Sequence, residues 1–187
     1  MGVILNWPNI LTLGRIALIP VIVVVFLLPY PWSPPVACLI FAIAGITDWL
    51  DGYLARRFNQ SSAFGRFLDP VADKLMVATT LLLLLAADPR LWLTLAVIVI
   101  IGREITISSL REWMAEVGAG KHIAVSYVGK VKTTVQMLAI GLMLFEYPLG
   151  PVDIYGLGVG MLVVAAGLTL WSMGMYLLAA WPELRKG

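Results

Sequence analysis

Cysteine and histidine are nearly missing: Cys38 and His122 are the only ones among 187 residues. A single thiol excludes an internal disulfide and a thiolate metal cluster, and within an apolar stretch Cys38 reads as a small packing residue. His122, in a polar connection, reads as a solvated side chain rather than a ligand, so no zinc cage is expected. Charge is scarce as well, at 13% of residues, against about one quarter in soluble domains. The net charge of +2 is too small to argue for a nucleic-acid partner. The first ten residues, MGVILNWPNI, contain no basic segment, and no small-residue cleavage site follows the first apolar run, so no removable signal peptide is expected. Internal repeats and low-complexity tracts are also missing.

What is abundant is apolar: 60% hydrophobic residues and a mean hydropathy of +0.93. Six apolar runs can be drawn, at ~8–28, ~34–56, ~69–87, ~91–112, ~130–147 and ~153–180, each near the ~20 residues that a bilayer demands of a helix. The expected fold is all-α: a polytopic membrane bundle of six transmembrane helices, with residues 1–187 forming a single domain. Breakers mark the connections. Pro29, Pro31, Pro34 and Pro35 separate the first two runs, Asn59 to Ser62 the next pair, Asp88 and Pro89 the third, and Pro148, Gly150 and Pro151 the last.

With six spans both termini share a side. Arg56, Arg57, Arg66, Lys121, Lys130, Arg185 and Lys186 fall on that side and Arg90 alone on the other, so the positive-inside rule puts both termini in the cytoplasm. Trp7, Trp32, Trp92, Tyr147, Tyr155 and Trp181 fall near run ends, as an interfacial aromatic belt would have them. Gly156, Gly158 and Gly160 open an apolar helix with no strand before them, which favours close helix packing over a nucleotide loop, and the same reading extends to Gly167 and Gly174. Met161, Met173 and Met175 read as core or lipid-facing filler.

The chemistry is concentrated between the second and third runs. Asp48 and Asp51 are spaced i, i+3 and Asp69 and Asp73 i, i+4, so each pair shares a helix face. The short connection makes the two helices antiparallel neighbours, and the four carboxylates can converge near one membrane boundary. Brought together, they repel one another unless a cation sits between them. All-oxygen ligation selects a hard divalent ion, Mg²⁺ or Mn²⁺, as one ion or as two sharing the four side chains. Gly52, Ala55 and Gly65 leave room beside the aspartates for a flat base or a diphosphate, and Arg56 is placed to pair with a phosphate oxygen. Asp69-Pro70 also reads as a helix N-cap followed by proline at the first helical position. Ionisable residues at membrane depth are costly, and a solvated acidic edge accounts poorly for this set.

Together these residues read D-x2-D-G-x2-A-R-x8-G-x3-D-x3-D, with every fixed place filled. The pattern resembles the signature of the CDP-alcohol phosphotransferases. The resemblance implies a six-helix fold, usually a homodimer, binding CDP and one or two Mg²⁺ or Mn²⁺ ions at the cytoplasmic end. It implies metal ligation by Asp48, Asp51, Asp69 and Asp73, with Asp73 also the general base. It places CDP-diacylglycerol against Gly52, Ala55, Arg56 and Gly65, with Asn9 and Thr12 as helpers.

Three further segments, Asn6 to Arg15, Arg103 to Trp113 and Gly129 to Thr134, are similar to members of that family whose acceptor is sn-glycerol 3-phosphate and whose products are phosphatidylglycerol phosphate and CMP. Arg103, Arg111, Lys130 and Lys132 would face the aspartates and suit a phosphorylated acceptor. Positive-inside anchoring is the other reading of these cations, and Glu104 is placed to neutralise Arg103 instead. Two rivals remain at this point: a sister enzyme using inositol phosphate, serine or phosphatidylglycerol, and a small cation transporter. Transporters bury such carboxylates near the midplane on broken helices, whereas these lie at one edge beside glycines.

Overall fold

The structure, a computed structural model, describes residues 7–58, 63–118 and 127–185. The described residues form six helices: α1 (Trp7–Leu27), α2 (Ser33–Phe58), α3 (Ala63–Ala87), α4 (Leu91–Glu116), α5 (Tyr127–Phe145) and α6 (Ile154–Leu184). All six expected helices are present. Four stretches are long and apolar enough to cross a membrane unaided, Asn9–Leu27, Phe67–Ala87, Leu91–Glu116 and Ile154–Trp181. The other two, on α2 and α5, carry shorter apolar stretches, Ser33–Asp48 and Val131–Phe145. The all-helical, polytopic membrane architecture agrees with the expected fold.

Packing closes the helices into a ring. α1 lies on α2 and α3, α2 on α5, α5 on α6, α6 on α4, and α4 on α3. Ile22, Phe41, Leu81, Leu84, Leu93, Ile100, Ile140 and Leu162 fill the interior. The outer surface is apolar too. Val24, Leu27, Ile46, Ile98, Ile105 and Leu178 are 60–75% exposed, which suits a protein solvated by lipid rather than water.

Three turns meet at one end of the ring. Tyr147 Oη donates to the Pro31 carbonyl at 2.5 Å, joining the α5–α6 turn to the α1–α2 turn. Tyr155 Oη donates to Asp88 Oδ2 at 2.7 Å, joining α6 to the α3–α4 turn. Arg90 grips the same carboxylate through Nε and Nη2 and lies over the Tyr155 ring. That bidentate guanidinium holds the Asp88 carboxyl below the usual range. Gly150, at φ 61°, allows the tight Leu149–Val152 turn, and Gly118, at φ 75°, follows the C-cap of α4.

Two expectations change. Asp69-Pro70 does not start a helix: α3 begins at Ala63 and carries Pro70 inside it. In a bundle, neighbouring groups can satisfy the backbone that proline frees. Of Gly156, Gly158, Gly160, Gly167 and Gly174, Gly158 alone makes a close contact with another helix. A Cβ there would lie 2.7 Å from Met143 Cγ and 2.9 Å from the Ala139 carbonyl oxygen on α5. Gly156 meets only the Asp153 side chain, and Gly160, Gly167 and Gly174 face open space.

Replacing Gly158 with alanine is therefore expected to destabilise the α5–α6 pair by about 1–3 kcal/mol, while Gly160→Ala should be neutral. Thermal unfolding of the two variants in the same detergent checks this, and equal midpoints would contradict the packing assigned to Gly158.

Candidate functional site

At the end of the ring opposite the three turns, α1 presents a polar stripe. Asn9, Thr12 and Arg15 recur every third residue and are 0–2% exposed, on a helix otherwise dominated by Leu, Ile and Val. Because α1 packs on both α2 and α3, the stripe reaches both aspartate-bearing helices. Arg15 Nη1 pairs with Asp48 Oδ1 on α2 at 2.6 Å. Thr12 Oγ1 donates to Asp69 Oδ1 on α3 at 2.5 Å. One helix thus holds a carboxylate from each pair. Thr12, expected beside the nucleotide, donates to an aspartate of the signature. Arg15 was missed, although a lone arginine three residues beyond Thr12 in an apolar helix was the available signal.

The side chains of Asp51, Gly52, Ala55, Arg56 and Lys130, and all of His122, lie outside the described residues. Gly65 is buried in the first turns of α3. Among the described residues, no three acidic, histidine or cysteine side chains close into a metal cage. The described acids contribute only oxygen donors, the chemistry of a hard divalent cation.

Asp73 is one turn beyond Asp69 and faces a second feature, a cavity of about 450 Å³ between α3, α4 and α5. The cavity exists because α4 and α5 do not pack closely on each other among the described residues. Its polar lining includes Asp73, Lys74, Glu104, Ser108, Lys132 and Gln136, and the remainder is mostly apolar. The charges acting on Asp73 come from both sides: Asp48 and Arg15 from the aspartate site, Glu104 and Lys74 from the cavity.

The cationic wall is built around Glu104. Its Oε1 accepts from Lys132 Nζ at 2.7 Å and from Arg103 Nη1 at 2.9 Å. Glu104 is thus paired with Arg103, as its position allowed, and shares that oxygen with Lys132. Two buried cations on one carboxylate leave this wall with net positive charge. Lys74 donates to Ser108 Oγ, which donates to the Glu104 carbonyl. Arg103 also lies 5.7 Å from the Tyr176 ring. Arg111, expected beside Lys132, lies instead against α6, with its Nη2 2.8 Å from Tyr176 Oη and its guanidinium 5.0 Å from that ring. Lys74, Glu104 and Gln136 are cavity residues that were not selected as binding residues. Gln136, one turn after Lys132, was readable as part of the same face.

Residues 5–176 match the family described as CDP-alcohol phosphatidyltransferase. The chain belongs to the CDP-alcohol phosphatidyltransferase family. It is 52% identical over 179 residues to the CDP-diacylglycerol–glycerol-3-phosphate 3-phosphatidyltransferase of Salmonella choleraesuis (strain SC-B67), covering 96% of this chain and 97% of that protein. The enzymes of the same name from Sodalis glossinidius (strain morsitans) and Shigella flexneri are 52% and 51% identical, with the same coverage. In this CDP-alcohol phosphatidyltransferase, then, the family's aspartate signature sits on α2 and α3, with α1 supplying donors to it and α4 and α5 supplying cations across a cavity.

Loss of the shared carboxylate leaves two cations facing each other in a buried position. Glu104→Gln is expected to lower stability by about 1–3 kcal/mol, and Lys132→Met in the Glu104→Gln background to recover part of it. A double-mutant cycle in detergent measures the coupling. Strict additivity would show that the contact contributes nothing.

Proposed function

We propose that the chain transfers the phosphatidyl group of CDP-diacylglycerol to sn-glycerol 3-phosphate, giving phosphatidylglycerol phosphate and CMP. The observation that carries this reading is the position of Asp73, which belongs to the aspartate signature and also lines a cavity whose opposite wall has net positive charge. A phosphorylated acceptor entering that cavity brings its hydroxyl toward Asp73 and its anion toward the Glu104, Lys132 and Arg103 group. The names of the relatives specify the same donor and acceptor, which supports this reading.

In this reading, Asp73 takes the proton of the acceptor's 1-hydroxyl. The hydroxyl oxygen attacks the phosphorus that carries the diacylglycerol, the bond from that phosphorus to the oxygen of CMP breaks in line, and CMP departs. Asp48, Asp51, Asp69 and Asp73 would hold Mg²⁺ or Mn²⁺, one ion or two. The oxygen-only donor set and membership in a family that generally depends on divalent metal support this. Bound metal supplies Lewis-acid polarisation of the diphosphate and charge for the departing nucleotide. Arg15 and Thr12 fix the carboxylates of Asp48 and Asp69. Gly52, Ala55, Arg56 and Gly65, with Asn9, would receive the CDP portion, and Lys130 and Arg111 would add positive charge to the acceptor's approach. The enzyme would act as a homodimer of single-domain chains in the bacterial cytoplasmic membrane, with the site and both termini on the cytoplasmic side, as the distribution of Arg and Lys supports.

Asp73→Asn is expected to lower CMP release by about 10²–10⁴-fold while CDP-diacylglycerol binding remains measurable. Turnover near that of the unaltered enzyme would remove Asp73 from proton transfer. Chelation with EDTA should abolish CMP release, with recovery on adding Mg²⁺ or Mn²⁺. CMP release measured with glycerol 3-phosphate, inositol phosphate, serine and phosphatidylglycerol in turn identifies the acceptor.

A further inference from the structure

Gln136 is a polar side chain in an apolar place. It lies on α5, four residues after Lys132, is 4% exposed, and lines the 450 Å³ cavity. Its carboxamide oxygen is buried without a hydrogen-bond partner among the described residues. An orphaned buried acceptor is costly and calls for a physical reason, and at this depth in a bundle leucine would pack without that cost. The apolar neighbours Val77, Ile100 and Met137 offer it nothing to accept from. The terminal torsion of glutamine has broad preferences, so a small rotation turns the carboxamide toward the cavity.

The cavity's other polar groups define what would complete Gln136. Lys132 stands one turn above it, bonded to Glu104, and Asp73 faces both from α3. A ligand that places an anion at the Lys132 level and a hydroxyl at Asp73 still leaves the Gln136 oxygen as a buried acceptor lining the cavity, which requires a second donor on the same small molecule. An acceptor with one phosphate and two hydroxyls has that donor. We propose that Gln136 accepts a hydrogen bond from the secondary hydroxyl of the acceptor and so selects a phosphorylated diol over a phosphorylated mono-alcohol. This rests on the glycerol 3-phosphate reading above and adds to it the residue that reads the hydroxyl not consumed in the reaction.

The test uses the full chain purified in detergent with CDP-diacylglycerol, comparing sn-glycerol 3-phosphate with 3-hydroxypropyl phosphate, the same molecule without its secondary hydroxyl. The unaltered enzyme is expected to favour glycerol 3-phosphate by about 10–100-fold in kcat/KM, because the analogue leaves the buried oxygen unpaired. In Gln136→Leu, turnover of glycerol 3-phosphate should fall far more than that of the analogue, bringing the ratio toward one, with a thermal midpoint unchanged or raised. A ratio near one in the unaltered enzyme overturns the proposal without any variant, as does an unchanged ratio in Gln136→Leu. A variant inactive with both acceptors and lowered in midpoint makes Gln136 a structural residue and overturns it too. If the unaltered enzyme releases CMP with neither phosphate but does so with another alcohol, it is the acceptor reading that fails.

Discussion

A carboxylate within an apolar bundle must have a positive or hydrogen-bonding partner, because isolated charge is expensive away from water. The Arg15–Asp48 pair meets that constraint here, and much of the arrangement depends on it. Arg15 is nearly fully buried, so it too needs its partner. A shift of α1 against α2 would strand the buried guanidinium, whereas the Asp48 side chain is 46% exposed. Thr12, one turn earlier, fixes α3 through Asp69 in the same way. α1 therefore acts as a template that sets the separation of the two aspartate-bearing helices, which have little direct packing on each other among the described residues.

The two ends of the ring use polar contacts differently. At the turn end, Asp88, Arg90 and Tyr155 satisfy one another and join α3, α4 and α6. Because the Asp88 carboxyl is held below its usual range, its contribution is present at neutral pH and is lost only as pH falls through that lowered value. At the aspartate end, polar contacts join α1 to α2 and α3, α4 to α5, and α3 to α4 through Lys74 and Ser108, around a cavity between α3, α4 and α5. A cavity of about 260 Å³ also lies beside Asp88, Arg90 and Tyr155 at the turn end, but the roomier one, of about 450 Å³, is at the aspartate end, where a water-soluble acceptor would meet the signature. The lipid-facing surface can then stay uniformly apolar while polar reactants enter along the axis.

The helices and the aspartates were legible because both rest on local pattern: apolar run length for the first, i+3 and i+4 spacing for the second. Run edges agreed with the helices to within a few residues, except at α3. There the Asp69-Pro70 pair looked like a start, and the helix in fact begins six residues earlier at Ala63. Cap and proline rules derive from helix ends facing water, and they lose force where tertiary neighbours satisfy the backbone. Arg15, Lys74 and Gln136 were legible as polar residues on apolar helices, but their partners were not. Each is a single polar residue whose meaning depends on which helix lies opposite, and the ring order that puts α1 beside α3 is not written in any local pattern. Glycine spacing on α6 failed for the same reason: Gly158 faces α5, while Gly160, two residues on, faces outward.

Glu104 explains how a cationic wall can persist in an apolar setting. With two carboxylates, Arg103 and Lys132 would be fully neutralised and indifferent to an anion. With none, they would repel each other and be driven toward solvent. One shared oxygen keeps both in place yet leaves charge that an incoming phosphate can complete. Partial compensation of this kind gives the wall a larger interaction with a charged acceptor than with a neutral one, since only the charged ligand removes the residual imbalance. Discrimination by charge and discrimination by hydroxyl count are then separable. On the proposed reading, the first would reside in Glu104 and its two cations, and the second in the unpaired oxygen of Gln136 one turn along α5.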